Sequence, residues 1–472
     1  MTGQIKADIC IIGAGSGGLS VAAGAAQMGA RVVLVEGAEM GGDCLNVGCV
    51  PSKALLAAAA RAQTVRAGGL GVAPMEPQVD YAAAMAHVTA TIAAIAPHDS
   101  QQRFEGLGVH VIRAWGRFVG PDALEAGDTL IAARRFVVAA GSRPAVPGVP
   151  GLKGVPFLTN ETLWALRELP EHLLVLGGGP LGMEMAQAHR RLGSRVTVLD
   201  GGHALGRDDP EAAGIVLAAL RAEGVEIVEG AEVTRASGRA GAITLQTADG
   251  RSFEGSHLLV AVGRAPNVER LNLPAAGVKT NARGIVTDTR LRSSNRRIFA
   301  IGDIAGRGQF THLAGYHAGL VVRQALFGLP SRLRDDHIPR ATYTDPGLAQ
   351  IGLTEAEARK QHGSKIAVVK VPVSGNDRAL AQGHKDGFLK LIVHRGRPVG
   401  VTIAAPDAGE IIAPFALGLA AKLKLSAYTS AVYPYPTLSE LSKRAASAYF
   451  SPKLFENPWV KRGVRLIQRL LP

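Results

Sequence analysis

Cysteine is scarce: the 472 residues hold three, Cys10, Cys44 and Cys49. So few exclude a disulfide-stapled secreted framework, and a reducing compartment is expected. A zinc site normally needs four ligands, usually with shorter Cys spacing. Charge is sparse too. Only 19% of residues are charged against 47% hydrophobic, which reads as globular and not disordered. Acids are outnumbered, 39 to 52 bases, for a net charge of +13. That balance fits polyanionic ligands, acidic partners or an anionic membrane. No zinc-finger or RNA-binding signature accompanies it, so nucleic acid is not an expected partner. An unbroken apolar span is also missing. Ile9 to Ala30 carry no charge, but Gly13, Gly15, Gly17, Gly18, Gly24 and Gly29 interrupt them. The pattern is strand, loop, helix, and not a signal peptide or a membrane span. Cytoplasm is the expected location.

What the sequence does hold is a repeat. Ala7 to Ile12 is a short apolar strand, followed by Gly13-Ala14-Gly15-Ser16-Gly17-Gly18 and an alanine-rich helix to Met28. A second strand, Arg31 to Val35, ends in Glu36. Later, Leu173 to Leu176 precede Gly177-Gly178-Gly179-Pro180-Leu181-Gly182, a helix to about Leu192, and a strand, Arg195 to Leu199, ending in Asp200. The first glycine and the terminal acid are 23 residues apart in both copies (36 − 13 and 200 − 177). The glycines permit a tight turn and let backbone N–H groups and a helix N-terminus approach a pyrophosphate, while the acid accepts hydrogen bonds from a ribose. Two copies imply two dinucleotides in one chain. The alternative is two Rossmann-like units with empty loops.

Cys44 and Cys49 lie in Gly41-Gly42-Asp43-Cys44-Leu45-Asn46-Val47-Gly48-Cys49-Val50-Pro51-Ser52-Lys53, which leads into a helix expected over Ala54 to Ala60. Positions five apart on a helix fall about two-fifths of a turn from one face, so a modest distortion brings the sulfurs together. A helix N-terminus favours a thiolate. A reactive dithiol is expected. The competing reading is a pair of buried, inert cysteines, against which the surrounding glycine and polar residues argue.

This segment resembles the active-site stretch of the flavin-dependent pyridine nucleotide–disulfide oxidoreductases, a family that includes dihydrolipoamide dehydrogenase, glutathione reductase and mercuric ion reductase. Phe136 to Pro144, Ala261 to Asn267 and Arg297 to Gly306 extend the resemblance over nearly the whole chain. The resemblance implies an α/β fold with two Rossmann-like dinucleotide-binding domains and a C-terminal α+β dimerisation domain. Its expected divisions are 1–145 and 270–337 for FAD, 146–269 for NAD(P), and 338–472 for dimerisation. The first glycine copy would bind FAD and the second NAD(P)H. Expected cofactor contacts are Gly13, Gly15, Gly18, Glu36, Lys53, Asp303 and Thr311 on one side and Gly177, Gly179, Gly182 and Asp200 on the other, with Gly116, Val233 and Gly263 completing the set. Asp200 favours NADH, because a carboxylate repels a 2′-phosphate, although His203 and Arg207 offer an alternative clamp. Cys49 would face the flavin, Cys44 would exchange with the acceptor, and Lys53 would pair with Glu184. Cys10 is expected in the core. Two chains would form a homodimer, each tail lying at the partner's disulfide. The acceptor would be a small-molecule or protein-borne disulfide, with a metal ion as the alternative.

One segment departs from the pattern. Val432-Tyr433-Pro434-Tyr435-Pro436-Thr437-Leu438-Ser439-Glu440 stands where the family has His-x-His-Pro-Thr-x-x-Glu. In disulfide reductases the second His protonates the departing thiolate and the Glu orients it. With reference values of about 6.5 for His, 8.5 for a thiol and 10 for Tyr, that transfer is downhill by roughly 2.7 kcal/mol from imidazolium and uphill by roughly 2 kcal/mol from Tyr435. Mercuric ion reductases carry a similar Pro-Tyr-x-Thr near the metal, but deliver it with adjacent cysteines that this sequence lacks. The other reading of Tyr433 and Tyr435 is interface packing.

Asn457 to Leu471 reads as a helix with Trp459, Val460, Val464, Ile467, Leu470 and Leu471 on one face and Lys461, Arg462, Arg465 and Arg469 on the other. From Lys443 onward seven bases face one acid. Such a helix either packs in the dimer or lies on a membrane surface, where direct electron transfer to a quinone or membrane protein is a third reading of function.

Overall fold

A computed structural model of the chain describes residues 3–471. Strand Gly3–Ile12 is the centre of the first sheet. It pairs in parallel with Val32–Val35 on one side and Thr129–Val138 on the other. Val32–Val35 is apolar throughout and so are Phe136, Val137 and Val138 opposite Cys10, Ile11 and Ile12, as expected for strand segments covered on both faces. The C-terminal half of Thr129–Val138 also pairs in parallel with Ile298–Ala300, while its first half carries an antiparallel meander through Ala123–Ala126 and Gly116–Gly120. Residues near 300 thus return to the sheet that residue 3 begins.

The second glycine copy builds a separate parallel sheet. Val225–Val228, Arg195–Leu199, His172–Leu176 and His257–Val260 lie in that order, and an antiparallel meander follows from Val233. The chain enters and leaves this unit through one two-stranded ribbon, Ser142–Pro144 against Arg264–Pro266. From Arg340 onward a five-stranded antiparallel sheet forms, in the order Arg340–Thr342, Gly347–Gly352, Arg397–Ala405, Phe388–His394, Ile366–Pro372. Phe388–His394 and Arg397–Ala405 form a hairpin, turning at Arg395 (φ 50°) and Gly396 (φ 71°). Two short helices follow, Ala408–Ile411 and Ala413–Ala420, separated because Pro414 is tolerated only in a first turn.

The dithiol helix runs Cys49–Ala67, starting earlier and ending later than expected. Pro51 lies in its first turn, where a missing N–H breaks no bond. This helix packs on Pro180–Leu192 through a shared core of Ala54, Leu55, Ala59 and Ala62 against Met183, Met185, Ala186 and Ala188. The alanines let the two backbones approach closely, and that approach brings residues 53 and 184 together.

Candidate active site

The two glycine loops share the geometry of their first and last glycines. Gly13 (φ 105°) and Gly177 (φ 111°) hold left-handed conformations that a side chain rarely adopts. A Cβ on Gly18 would sit 1.9 Å from the Gly13 carbonyl oxygen, and one on Gly182 would sit 2.0 Å from that of Gly177. The middle glycines differ in kind. Around Gly179 a Cβ meets nothing within 4 Å, and around Gly15 only Gly42 Cα at 3.9 Å. These two residues open the helices Ser16–Gln27 and Pro180–Leu192, and neither helix has a side-chain cap. First-turn N–H groups without a capping side chain beside an open backbone fit a pyrophosphate in each loop.

The acids close the loops. Glu36 accepts from Ala14 N at 2.5 Å and Ala38 N at 2.7 Å. Asp200 accepts from Gly178 N at 2.7 Å and Gly202 N at 2.8 Å. Each carboxylate is thereby fixed beside its own glycine turn. His203 lies exposed and pairs with Glu229 at 3.4 Å, and Arg221 pairs with the same carboxylate at 2.9 Å. His203 and Arg221 thus share the Glu229 carboxylate.

Of the remaining cofactor candidates, Gly116 is buried behind Val35, where a Cβ would press on Leu124 at 3.1 Å and Val35 at 3.3 Å. Gly263 (φ 132°) accepts from Ala145 N at 2.9 Å in the ribbon between the units. Val233 opens the meander strand Val233–Arg239, partly buried against the core that includes Leu176 and Leu199.

At the dithiol, Cys44 sits in a short helix, Gly42–Asn46, and Cys49 begins the next. Cys49 Sγ lies 3.5 Å from Thr311 Oγ1, and Thr311 begins the helix Thr311–Phe327. The two sulfurs have opposite character. A hydrogen bond from Cys44 draws the Cys49 thiol down to about 6, with Thr311 and Lys53 assisting against the opposing effects of burial and Glu184. Giving that hydrogen bond, with burial, pushes Cys44 far above the usual thiol range. Cys10 is fully buried in the first strand and is likewise pushed well up.

Lys53 Nζ donates to Glu184 Oε2 at 2.6 Å, and Glu184 is buried. Its other oxygen accepts from Tyr343 N at 2.9 Å, and Lys53 lies 4.4 Å from the centre of the Tyr343 ring. Tyr343, just after strand Arg340–Thr342, had no signal in the sequence. Arg264 and Ser142 lie inside segments that carry the family resemblance, but nothing singled them out. Arg264 reaches Asp43 at 2.8 Å and donates to Ser142 Oγ at 2.7 Å, and Ser142 donates to Asp303 at 2.5 Å. Burial raises both Asp43 and Asp303, with Arg264 pulling the other way. One guanidinium therefore ties the short helix that carries Cys44 to the Asp303 turn.

Tyr435 and Glu440 stand apart from this cluster. Among the described residues no hydrogen bond joins either to Cys44 or Cys49. Tyr435 is exposed and donates to Asp377 Oδ2 at 3.0 Å, and Asp377 also pairs with Arg444 at 3.3 Å. The hydrogen bond to Asp377 and its negative charge push the phenol above its ordinary value. Glu440 does not orient it: a buried Glu440 oxygen, Oε2, has no hydrogen-bond partner.

Two dinucleotide loops and an asymmetric dithiol beside a Lys–Glu pair define a flavin- and nicotinamide-dependent dithiol oxidoreductase. The family model described as pyridine nucleotide-disulphide oxidoreductase matches residues 7–318, and that of the same family's dimerisation domain matches 338–446. A mercuric reductase of Streptomyces lividans is 34% identical, over 94% of this chain and 96% of its own length. A dihydrolipoyl dehydrogenase of Thermus scotoductus is 36% identical, over 93% and 97%. Among solved structures, the HOCl-induced flavoprotein disulfide reductase RclA of Escherichia coli has a TM-score of 0.83 at 29% identity, covering 93% of this chain and 99% of its own. LpdA of Mycobacterium tuberculosis has a TM-score of 0.86 at 26% identity, covering 94% and 99%. The chain belongs to the pyridine nucleotide-disulphide oxidoreductase family. It is an FAD-dependent oxidoreductase that uses NAD(P)H and carries the family's dimerisation domain.

A pH prediction follows from the Cys49 environment. Its thiolate is present above about pH 6 and is lost as pH falls through that value. In the dithiol-reduced enzyme, absorbance of the Cys49 thiolate should titrate near there. Lys53→Met removes a stabilising cation and should move that midpoint upward by about one unit. A midpoint unmoved in Lys53→Met would exclude Lys53 from tuning the thiol.

Proposed function

We propose that this chain passes electrons from NADH to a thiophilic metal ion held at Cys44 and Cys49. The observation that carries it is the unequal dithiol together with a tyrosine at the family's acid position. Cys44 holds its proton against Cys49, and the phenol at the family's acid position is bound to Asp377 and made less acidic. Exchange with a disulfide needs that proton moved off Cys44 for attack and a proton returned to the departing thiolate. A thiophilic ion replaces the Cys44 proton directly. It needs no leaving-group acid, because soft ions bind thiolates strongly.

The residues would act as follows. Gly13, Gly15, Gly18, Glu36, Asp303 and Thr311 would hold FAD, which supplies the two-electron relay between nicotinamide and dithiol when bound. Gly177, Gly179, Gly182 and Asp200 would hold the nicotinamide dinucleotide. Lys53, fixed by Glu184, keeps a positive charge beside the Cys49 thiolate. A divalent ion taken to the metal consumes two electrons, turning NADH to NAD+ with release of one proton. Names among the relatives point the same way, since several are mercuric reductases and the RclA protein is also solved as a Cu(II) complex. Two chains would pair through 338–446 as a homodimer.

A disulfide acceptor is the second reading, favoured by the dihydrolipoyl dehydrogenase relative. There a Cys44 thiolate would attack one acceptor sulfur and expel the other. Cys49 would then attack Cys44, forming the internal disulfide and freeing the second thiol.

Steady-state oxidation of NADH and of NADPH should be compared with mercuric ion in excess thiol, lipoamide and glutathione disulfide as acceptors. We expect the metal to be turned over at least about tenfold faster than either disulfide. NADH should be preferred by at least about tenfold, since a 2′-phosphate beside Asp200 meets like charge. Faster turnover of a disulfide would reverse the acceptor assignment, and an NADPH preference would reverse the nucleotide assignment.

A further inference from the structure

The final described helix, Pro458–Leu470, has no buried residue. It lies beyond the 338–446 match and packs mainly against the helix before it, Glu440–Phe455. At about 100° per residue its side chains separate cleanly. Leu466, Trp459, Leu470, Ile467, Val460 and Val464 fill one arc of roughly 160°, and Lys461, Arg465, Arg469 and Arg462 fill the opposite side. No acid occurs in the helix. Trp459 is 74% exposed and Leu470 75%, so the apolar arc faces outward in full. Leu454 and Phe455, just before the helix, are exposed as well.

Charge selects the occupant of that arc. A second copy of this chain carries +13 and brings a +6 segment from Lys443 onward, so it would set four bases against like charge. The groove at the foot of the preceding helix adds more of the same sign: Lys365, Lys370, Arg395 and Lys453 line it. An apolar arc flanked only by bases matches one surface chemically, an acyl layer beneath anionic headgroups.

We propose that helix Pro458–Leu470 docks this protein on anionic lipid membrane, with its apolar arc at the acyl boundary and its bases among the headgroups. Trp459 suits the boundary, with an apolar ring and a polar N–H. None of the described helices is long and apolar enough to cross a membrane, so the attachment lies in the interface plane. The site of redox chemistry stays on the far larger body of the protein, which the docking leaves open to a water-borne substrate.

Flotation of the full-length holoprotein tests this. Vesicles of phosphatidylcholine alone are compared with vesicles containing phosphatidylglycerol. We expect flotation with the anionic vesicles only, weakened as salt rises from about 0.1 to about 0.5 M. Ile467→Glu with Leu470→Glu should abolish it. Reversal of Lys461, Arg462, Arg465 and Arg469 to Glu should lower partition on the order of a hundredfold or more. Light scattering and NADH turnover in the same variants report assembly and folding. Flotation lost with mass and turnover unchanged supports docking. Failure to float with any vesicle, or flotation indifferent to Ile467→Glu with Leu470→Glu, overturns it. A fall in oligomer mass in that variant also overturns it, since the arc would then be covered by a second copy.

Discussion

Cys44→Ser should lower acceptor turnover on the order of 10³-fold or more while NADH still bleaches the bound flavin. A serine hydroxyl does not ionise near neutral pH and does not ligate soft ions, so both readings of the acceptor lose their reacting atom. The nicotinamide half is untouched, because its loop lies on the separate sheet through His172–Leu176. The change also tests the asymmetry of the pair. Cys44 is the hydrogen-bond donor that holds Cys49 down near 6. A serine hydroxyl is a stronger donor than a thiol, so it keeps that bond and the Cys49 midpoint should stay low. Cys10→Ala provides the control. That thiol is fully buried in strand Gly3–Ile12, away from the dithiol, so turnover should stay within about twofold of the parent. Turnover that survived Cys44→Ser would remove the dithiol from the reaction and leave direct flavin-to-acceptor transfer.

The sequence was legible wherever a local conformation demands one residue type. Only glycine suits φ 105° at Gly13 and φ 111° at Gly177, so the loops announce themselves, and the equal offset to Glu36 and Asp200 marks the two copies as one design. The two acids then proved to cap the second residue of each loop, Ala14 and Gly178, a backbone role that spacing alone does not reveal. Long-range partners were the least legible. Lys53 and Glu184 are 131 residues apart, and only resemblance joined them in advance. Tyr343 and Asp377 meet Glu184 and Tyr435 through tertiary packing, and nothing in their own neighbourhoods marks them. Tyr435 shows what that costs. Its weakness as an acid was readable from its residue type, but its orientation by Asp377 and not Glu440 depends on how the Asp377–Ala381 helix is docked. Arg264 was missed for another reason: its three partners, Asp43, Ser142 and Asp303, come from three separate segments that only the folded ribbon brings together.

Gly18→Ala should yield a nearly colourless protein, with flavin absorbance per chain reduced at least about tenfold. The cause is steric and local. The new methyl would sit 1.9 Å from the Gly13 carbonyl oxygen and 3.0 Å from its carbon, and both belong to backbone that cannot rotate away. Gly13 is itself held, since its N–H donates to the Val35 carbonyl at 2.8 Å. The turn would have to open, drawing the helix Ser16–Gln27 and its free first-turn N–H groups away from the pyrophosphate position. Gly24→Ala on the same helix separates this effect from a general intolerance of side chains. There the methyl meets only Val322 at 3.5 Å, an ordinary contact. Alanine in a helix interior is favoured over glycine by about 1 kcal/mol, so Gly24→Ala should stay yellow with an equal or higher thermal midpoint. If Gly18→Ala bound flavin at parental stoichiometry, the first loop would not be the pyrophosphate cradle, and the FAD assignment of the N-terminal repeat would fall with it.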